Sequence, residues 1–143
     1  MNKRLITSSM LLIFCLALSA CSTPAVPTQL TSQLDQDRSA RLVGTWRFSK
    51  SDDELSLQGT TTFRSDGTFA GSGIAQMRQQ QIPISVAGTW LVKDGYLVER
   101  ITAMSPPIFR PGHTIRDLIL EITPEKFSSQ TEKGEINVEH RQE

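Results

Sequence analysis

Between Arg41 and His140 apolar residues recur at every second position in short runs, and turn-forming residues end each run. No other feature constrains the fold as tightly. Period-two alternation belongs to half-buried strands, whereas a helix repeats every three to four residues. The first run places Leu42, Gly44, Trp46 and Phe48 on one face, and residues 50–53 read as a turn. Leu55, Leu57, Thr61 and Phe63 share the next face, with Thr60 and Thr62 opposite. Ser65-Asp66-Gly67 is a hairpin signal, because Asp-Gly suits the positive φ values of tight turns. Residues 68–77 resume as a strand containing Gly71 and Gly73, and glycine there marks a bend or the close approach of another backbone. Residues 79–83 break the run.

The pattern continues to the end of this region. Residues 84–92 form a strand that stops at Asp94-Gly95, and residues 96–104 return. Pro106, Pro107, Pro111 and Gly112 make a loop, residues 113–122 run on to Pro124, and 127–131 and 136–140 pair around Lys133-Gly134. About eight consecutive strands joined by short turns predict an all-β fold, a small antiparallel up-and-down barrel that hides its edges by closing. A barrel of that size holds side chains or one small ligand.

Ahead of the strands, Leu30 and Leu34 stand four apart and share one face of a possible short helix over residues 29–39, able to plug one end of the domain; a disordered tether is the alternative. Residues 22–28, STPAVPT, have the composition of a linker. Before them, Lys3 and Arg4 precede an apolar stretch over residues 5–18, and Ser19-Ala20 follow. That three-part build is a secretory signal peptide, too short for the roughly 20 apolar residues of a membrane span. The expected organisation is therefore residues 1–20 as signal peptide, 21–40 as Cys21 with tether and possible helix, and 41–143 as the barrel domain.

Leu18-Ser19-Ala20-Cys21 resembles the lipobox of bacterial lipoproteins. The resemblance implies a diacylglycerol on the Cys21 thiol, cleavage before Cys21, and acylation of the new amino terminus, commonly by palmitate. Stable anchoring takes two or more chains, so this modification would hold the protein at a membrane. Ser22 stands where Asp signals inner-membrane retention in enterobacterial lipoproteins, which implies the inner leaflet of the outer membrane, facing the periplasm.

The barrel region carries a second resemblance. Gly44-Thr45-Trp46 looks like the Gly-x-Trp signature of lipocalins. Thr62-Phe63-Arg64-Ser65-Asp66-Gly67-Thr68-Phe69 is similar to a hairpin of small lipocalin-like domains, and Gly88-Thr89-Trp90 with Asp94-Gly95-Tyr96-Leu97 resembles their mid-chain segment. Lipocalins commonly pack an Arg near the last strand on the first Trp, and Arg141 is the natural candidate. Its parity groups it with Asn137 and Glu139, opposite Ile136, Val138 and His140. If the apolar side faces the core, Arg141 points away from Trp46 unless a bulge intervenes.

Composition narrows the chemistry. The chain has 15 basic and 15 acidic residues, and losing Lys3 and Arg4 leaves 13 against 15, with no basic excess to suggest nucleic acid. Cys15 leaves with the signal and Cys21 is modified, so no cysteine remains for a disulfide, metal or nucleophile. His113 and His140 fall in different elements, and a metal centre needs several converging ligands. His113 and Asp117 share a strand face but lie about 13 Å apart at 3.3 Å per residue, too far for an acid–base pair. No nucleophile elbow or phosphate-cradling loop is present. No catalytic residue, metal or cofactor is expected.

Trp46, Trp90, Phe69, Met77 and Tyr96 are candidates for the interior, as core packing or as ligand contacts. Ile108 and Phe109 sit between prolines in a loop that either folds over a barrel end or forms a portal flap. The expected function is that of a membrane-anchored lipoprotein whose lipocalin-like barrel takes a small apolar or amphipathic ligand. The alternative is an envelope protein–protein interaction module with a solid barrel.

Overall fold

A computed structural model of the protein describes residues 28–51, 55–77 and 80–143. The expected signal peptide, Cys21 and the expected linker, all within residues 1–27, lie outside the described residues. One helix, α1 (Thr28–Leu42), precedes eight strands: β1 (Gly44–Ser51), β2 (Leu55–Phe63), β3 (Thr68–Met77), β4 (Gln80–Lys93), β5 (Tyr96–Ser105), β6 (Thr114–Ile122), β7 (Lys126–Gln130) and β8 (Ile136–Arg141). They pair in chain order, all antiparallel, and β8 closes back on β1 to form a barrel. Among the described residues no helix follows Leu42.

The hairpins form where the sequence places them. Thr68 donates to Asp66 Oδ1 through its backbone N–H at 2.9 Å and its hydroxyl at 2.7 Å, which fixes the β2–β3 turn. Asp94 and Gly95 have φ of 53° and 83°, the mirror-image turn geometry that Asp-Gly tolerates. Gly73 is a close-approach position: any Cβ there would run into the Gln58 carbonyl and the Cα of Gly59 on β2.

One boundary differs from expectation. Residues 80–83 belong to β4, and Pro83 pairs in register with Ile74. The β4–β5 ladder ends at Ser85–Ser105, so this part of β4 is an edge, where a proline is tolerated. The β3–β4 hairpin thus projects beyond β5. Met77 lies near its tip and is 48 % exposed, not an interior residue.

The helix also departs from its expected packing. It runs to Leu42, but Leu30 and Leu34 are half-exposed. Polar groups dock it instead. Asp35 accepts hydrogen bonds from the backbone N–H groups of Asp94 (2.6 Å) and Gly95 (3.0 Å), tying α1 to the β4–β5 turn. Buried Leu42 then leads into β1.

Next to this end of the barrel lies an aromatic core. Trp46 meets Phe127 edge-on with centroids 5.0 Å apart, and Phe63 meets Trp90 at 5.2 Å. Leu42, Phe69, Leu97, Ile101 and Ile119 complete the buried cluster. Each indole N–H is satisfied by a carbonyl, Trp46 Nε1 by Leu42 at 2.7 Å and Trp90 Nε1 by Arg64 at 3.0 Å.

Arg141 corrects the expected register of β8. Its guanidinium lies 4.1 Å above the Trp46 ring and donates to the carbonyls of Val43 (3.0 Å), Arg41 (2.6 Å) and Pro124 (2.7 Å). Trp46 and Arg141 are paired directly across the β1–β8 ladder, so no bulge is needed. The inward side of β8 is its polar side, and Ile136 and Val138 are exposed. Gly44 (φ 140°) makes this packing possible, because a Cβ there would strike the guanidinium.

Candidate functional site

Away from the helix, the barrel interior is not filled. A cavity of about 190 Å³ is walled by Thr61, Phe63, Phe69, Val86, Leu97, Glu99, Ile101, Met104, Phe109, Ile115, Asp117, Phe127, Ser129 and Glu139. Strand alternation explains the lining. Glu99 lies between Leu97 and Ile101 on the inward side of β5, and Asp117 between Ile115 and Ile119 on that of β6. Glu139 follows Asn137 on the inward side of β8 and is paired with Phe48 of β1 and Phe127 of β7. Three carboxyl groups therefore enter a largely apolar chamber from three strands, with no Lys, Arg or His among the described residues of its wall.

The chamber disfavours their charges. Burial, reinforced by the Glu139 and Asp117 carboxylates, pushes Glu99 up to about 8. Burial, with Asp117 adding to it, raises Glu139 to about 7. Asp117 is also raised, first by burial and then by nearby Glu132, while a hydrogen bond with Asn137 opposes the rise. Glu139 Oε2 is buried and has no hydrogen-bond partner. Among the described residues no cluster of His, Cys, Asp and Glu side chains is arranged to hold a metal ion.

Residues 106–113 cover one side. The loop is pinned to β5: Ile101 N–H donates to the His113 carbonyl at 2.9 Å, and Gly112 N–H to the Ile101 carbonyl at 2.7 Å. Phe109 stacks on His113 with centroids 4.4 Å apart and forms part of the cavity wall. Ile108 turns outward and is 65 % exposed.

A separate cleft lies in the seam between β1 and β8. These strands pair only at Trp46–Arg141, Arg47–His140 and Phe48–Glu139, although β1 continues to Ser51 and β8 begins at Ile136. Between their unpaired ends is a cleft of about 240 Å³, lined by Phe48, Ser49, Lys50, Leu57 and residues 136–139. Lys50 Nζ reaches Glu135 Oε2 across it at 2.6 Å. Glu139 borders both cleft and cavity.

Of the expected interior contacts, Phe69 and Phe109 line the cavity. Trp46 and Trp90 are buried in the aromatic core and absent from its wall. Tyr96 lies outside the barrel with the Arg116 guanidinium 3.8 Å from its ring centroid, and Met77 and Ile108 are exposed. The acidic trio was missed from sequence, although two members carried a visible signal: a carboxylate at an apolar position of the alternation in Leu97-x-Glu99-x-Ile101 and Ile115-x-Asp117-x-Ile119.

No protein-family model matches the chain, and no curated protein is significantly similar to it. The architecture itself, a closed eight-stranded antiparallel up-and-down barrel, fits a lipocalin-like fold.

Proposed function

We propose that the protein is a bacterial lipoprotein, anchored through lipid on Cys21 at the inner leaflet of the outer membrane, whose barrel binds a small, partly apolar ligand. The observation that carries the binding reading is the interior cavity, with apolar walls and a few convergent polar groups. Its volume bounds the ligand. A dry cavity of about 150 Å³ accommodates benzene, and drug-sized ligands occupy about 300 Å³ or more. At about 190 Å³ the chamber suits a single ring with a short arm and excludes a long acyl chain. The alternative, an interaction module with a solid barrel, has less support because the interior is hollow.

Two measurements test this reading. Mass spectrometry of the chain produced in a bacterial host should find an amino-terminal peptide beginning at a diacylglyceryl-modified Cys21, and Cys21→Ser should leave uncleaved precursor. An unmodified Cys21 sinks the anchoring part. Native mass spectrometry of the protein taken from cells should show a small copurifying mass, which Val86→Phe, by filling the cavity, should abolish. Bare wild-type protein, with no thermal shift across small ring compounds, sinks the binding part.

A further inference from the structure

We propose that the cavity recognises a small organic amine, whose ammonium group sits among Glu99, Asp117 and Glu139 while a compact apolar body rests against the surrounding phenylalanines. The inference rests on the binding reading above and names the ligand chemistry for the same site.

Among the described residues the interior holds more carboxyl acceptors than fixed donors, and Asp117 alone of the three is given a side-chain partner, Asn137. The three carboxyl groups are acceptors when ionised, and the other polar side chains in the wall are the hydroxyls of Thr61 and Ser129. Two observations beyond the clustering point to a missing partner. Glu139 Oε2 is shielded from solvent and accepts no hydrogen bond. The Glu99 side chain lies inside the barrel and borders the cavity, and among the described residues no cation lines the cavity beside it. Buried polar atoms are nearly always paired, and an orphaned charged acceptor is especially costly. A group that completes this site must bring N–H donors and, preferably, positive charge.

The walls select the rest of the ligand. Phe63, Phe69, Phe109 and Phe127 border the same space, so an aromatic or branched aliphatic body is matched on its faces and a cation gains from nearby rings. Among the described residues no three such side chains converge closely enough to hold a metal ion, whereas an ammonium group on an apolar body needs contact with only one or two of the carboxyls. The β1–β8 cleft shares Glu139 with the cavity, and the Lys50 ammonium in the cleft wall is already paired with Glu135. Because the interior carboxyls hold protons tightly, a bound ammonium takes the place of a proton and releases it to solvent.

The test is calorimetric titration of the full chain in detergent with benzylamine, benzyl alcohol and benzoate, which share a ring and differ in the polar group. Benzylamine should bind at least about tenfold more tightly than benzyl alcohol, as expected of charge-assisted hydrogen bonds in a dry site. Its binding heat should vary with the ionisation enthalpy of the buffer, reporting proton release, and benzoate should not bind. Glu99→Gln and Glu139→Gln should bring the amine and the alcohol towards parity while still binding the alcohol, which also verifies that the variants are folded. Equal wild-type affinity for amine and alcohol, or an amine preference that survives both substitutions together, overturns this inference alone. Binding of none of the three probes overturns it together with the reading on which it rests.

Discussion

Replacing Glu99 by glutamine should stabilise the protein at alkaline pH, although it alters a residue deep in the barrel. The unfolded chain exposes Glu99 to water, where it ionises near 4.5; in the folded protein ionisation waits until about 8. Between these values the folded state holds a proton that the unfolded state has released, so stability falls as pH rises. The contribution is fully present below 4.5 and is lost as pH passes 8. One pH unit corresponds to about 1.4 kcal/mol, so the displaced ionisation costs the fold on the order of 5 kcal/mol by pH 8. Glu139 contributes with the same sign up to about 7. The Glu139 charge is one cause of the Glu99 rise, so the two effects are coupled and do not simply add, while burial and Asp117 still raise Glu139 when Glu99 is gone. Wild type should therefore lose several kcal/mol between pH 5 and pH 8 in urea unfolding. Glu99→Gln should flatten that slope and exceed wild type at pH 8 by about 1–3 kcal/mol, the amide keeping the shape without the charge. Wild-type stability that is flat or rises from pH 5 to 8, or a variant no more stable than wild type at pH 8, would refute the reasoning.

Four further substitutions probe the ends of the barrel. Arg141→Lys keeps the charge but loses the planar fork that reaches three carbonyls and covers Trp46; it should cost about 2 kcal/mol in chemical denaturation, and an unchanged midpoint would count against the staple. Asp35→Ala removes the acceptor for two backbone N–H groups; it should cost about 1–3 kcal/mol and speed amide exchange at Asp94 and Gly95, whereas unaltered exchange would mean that another contact holds the helix. Leu30→Ser with Leu34→Ser should change stability by less than about 0.5 kcal/mol each, because both side chains are half in water; a large loss would show that they pack.

The sequence makes the number of strands and most hairpins legible because the turns have strict backbone demands. Asp66-Gly67 and Asp94-Gly95 meet them, and strand period two does the rest. The interior was harder to read wherever both sides of a strand are apolar. On β6, Leu118 and Leu120 alternate with Asp117 and Ile119, so hydrophobicity alone does not reveal which set faces in. The ladder also shifts at Leu120 on β6, and again at Thr102 on β5 opposite the Ala87–Gly88 step of β4, resetting parity without a sequence mark. On β8 the usual rule points the wrong way. Ile136 and Val138 stay outside because the Trp46 contact draws Arg141 inward, and Asn137 and Glu139 follow by parity. The same alternation that hid the Arg141 contact thus hid one corner of the acidic site.

The Arg141 staple also bears on when this protein is able to fold. It joins residues 98 and 100 positions apart in the chain, and β8 is synthesised after the seven strands it must complete. Local hairpins such as β2–β3 can form early, but closure waits on a contact of very long sequence separation, the kind that forms slowly. Until then β1 lacks its second partner and Trp46 its cover. A chain threaded through a membrane channel from its amino terminus, as the proposed anchoring requires, therefore meets the channel as an open meander. Its topology postpones the barrel until the last strand has been delivered.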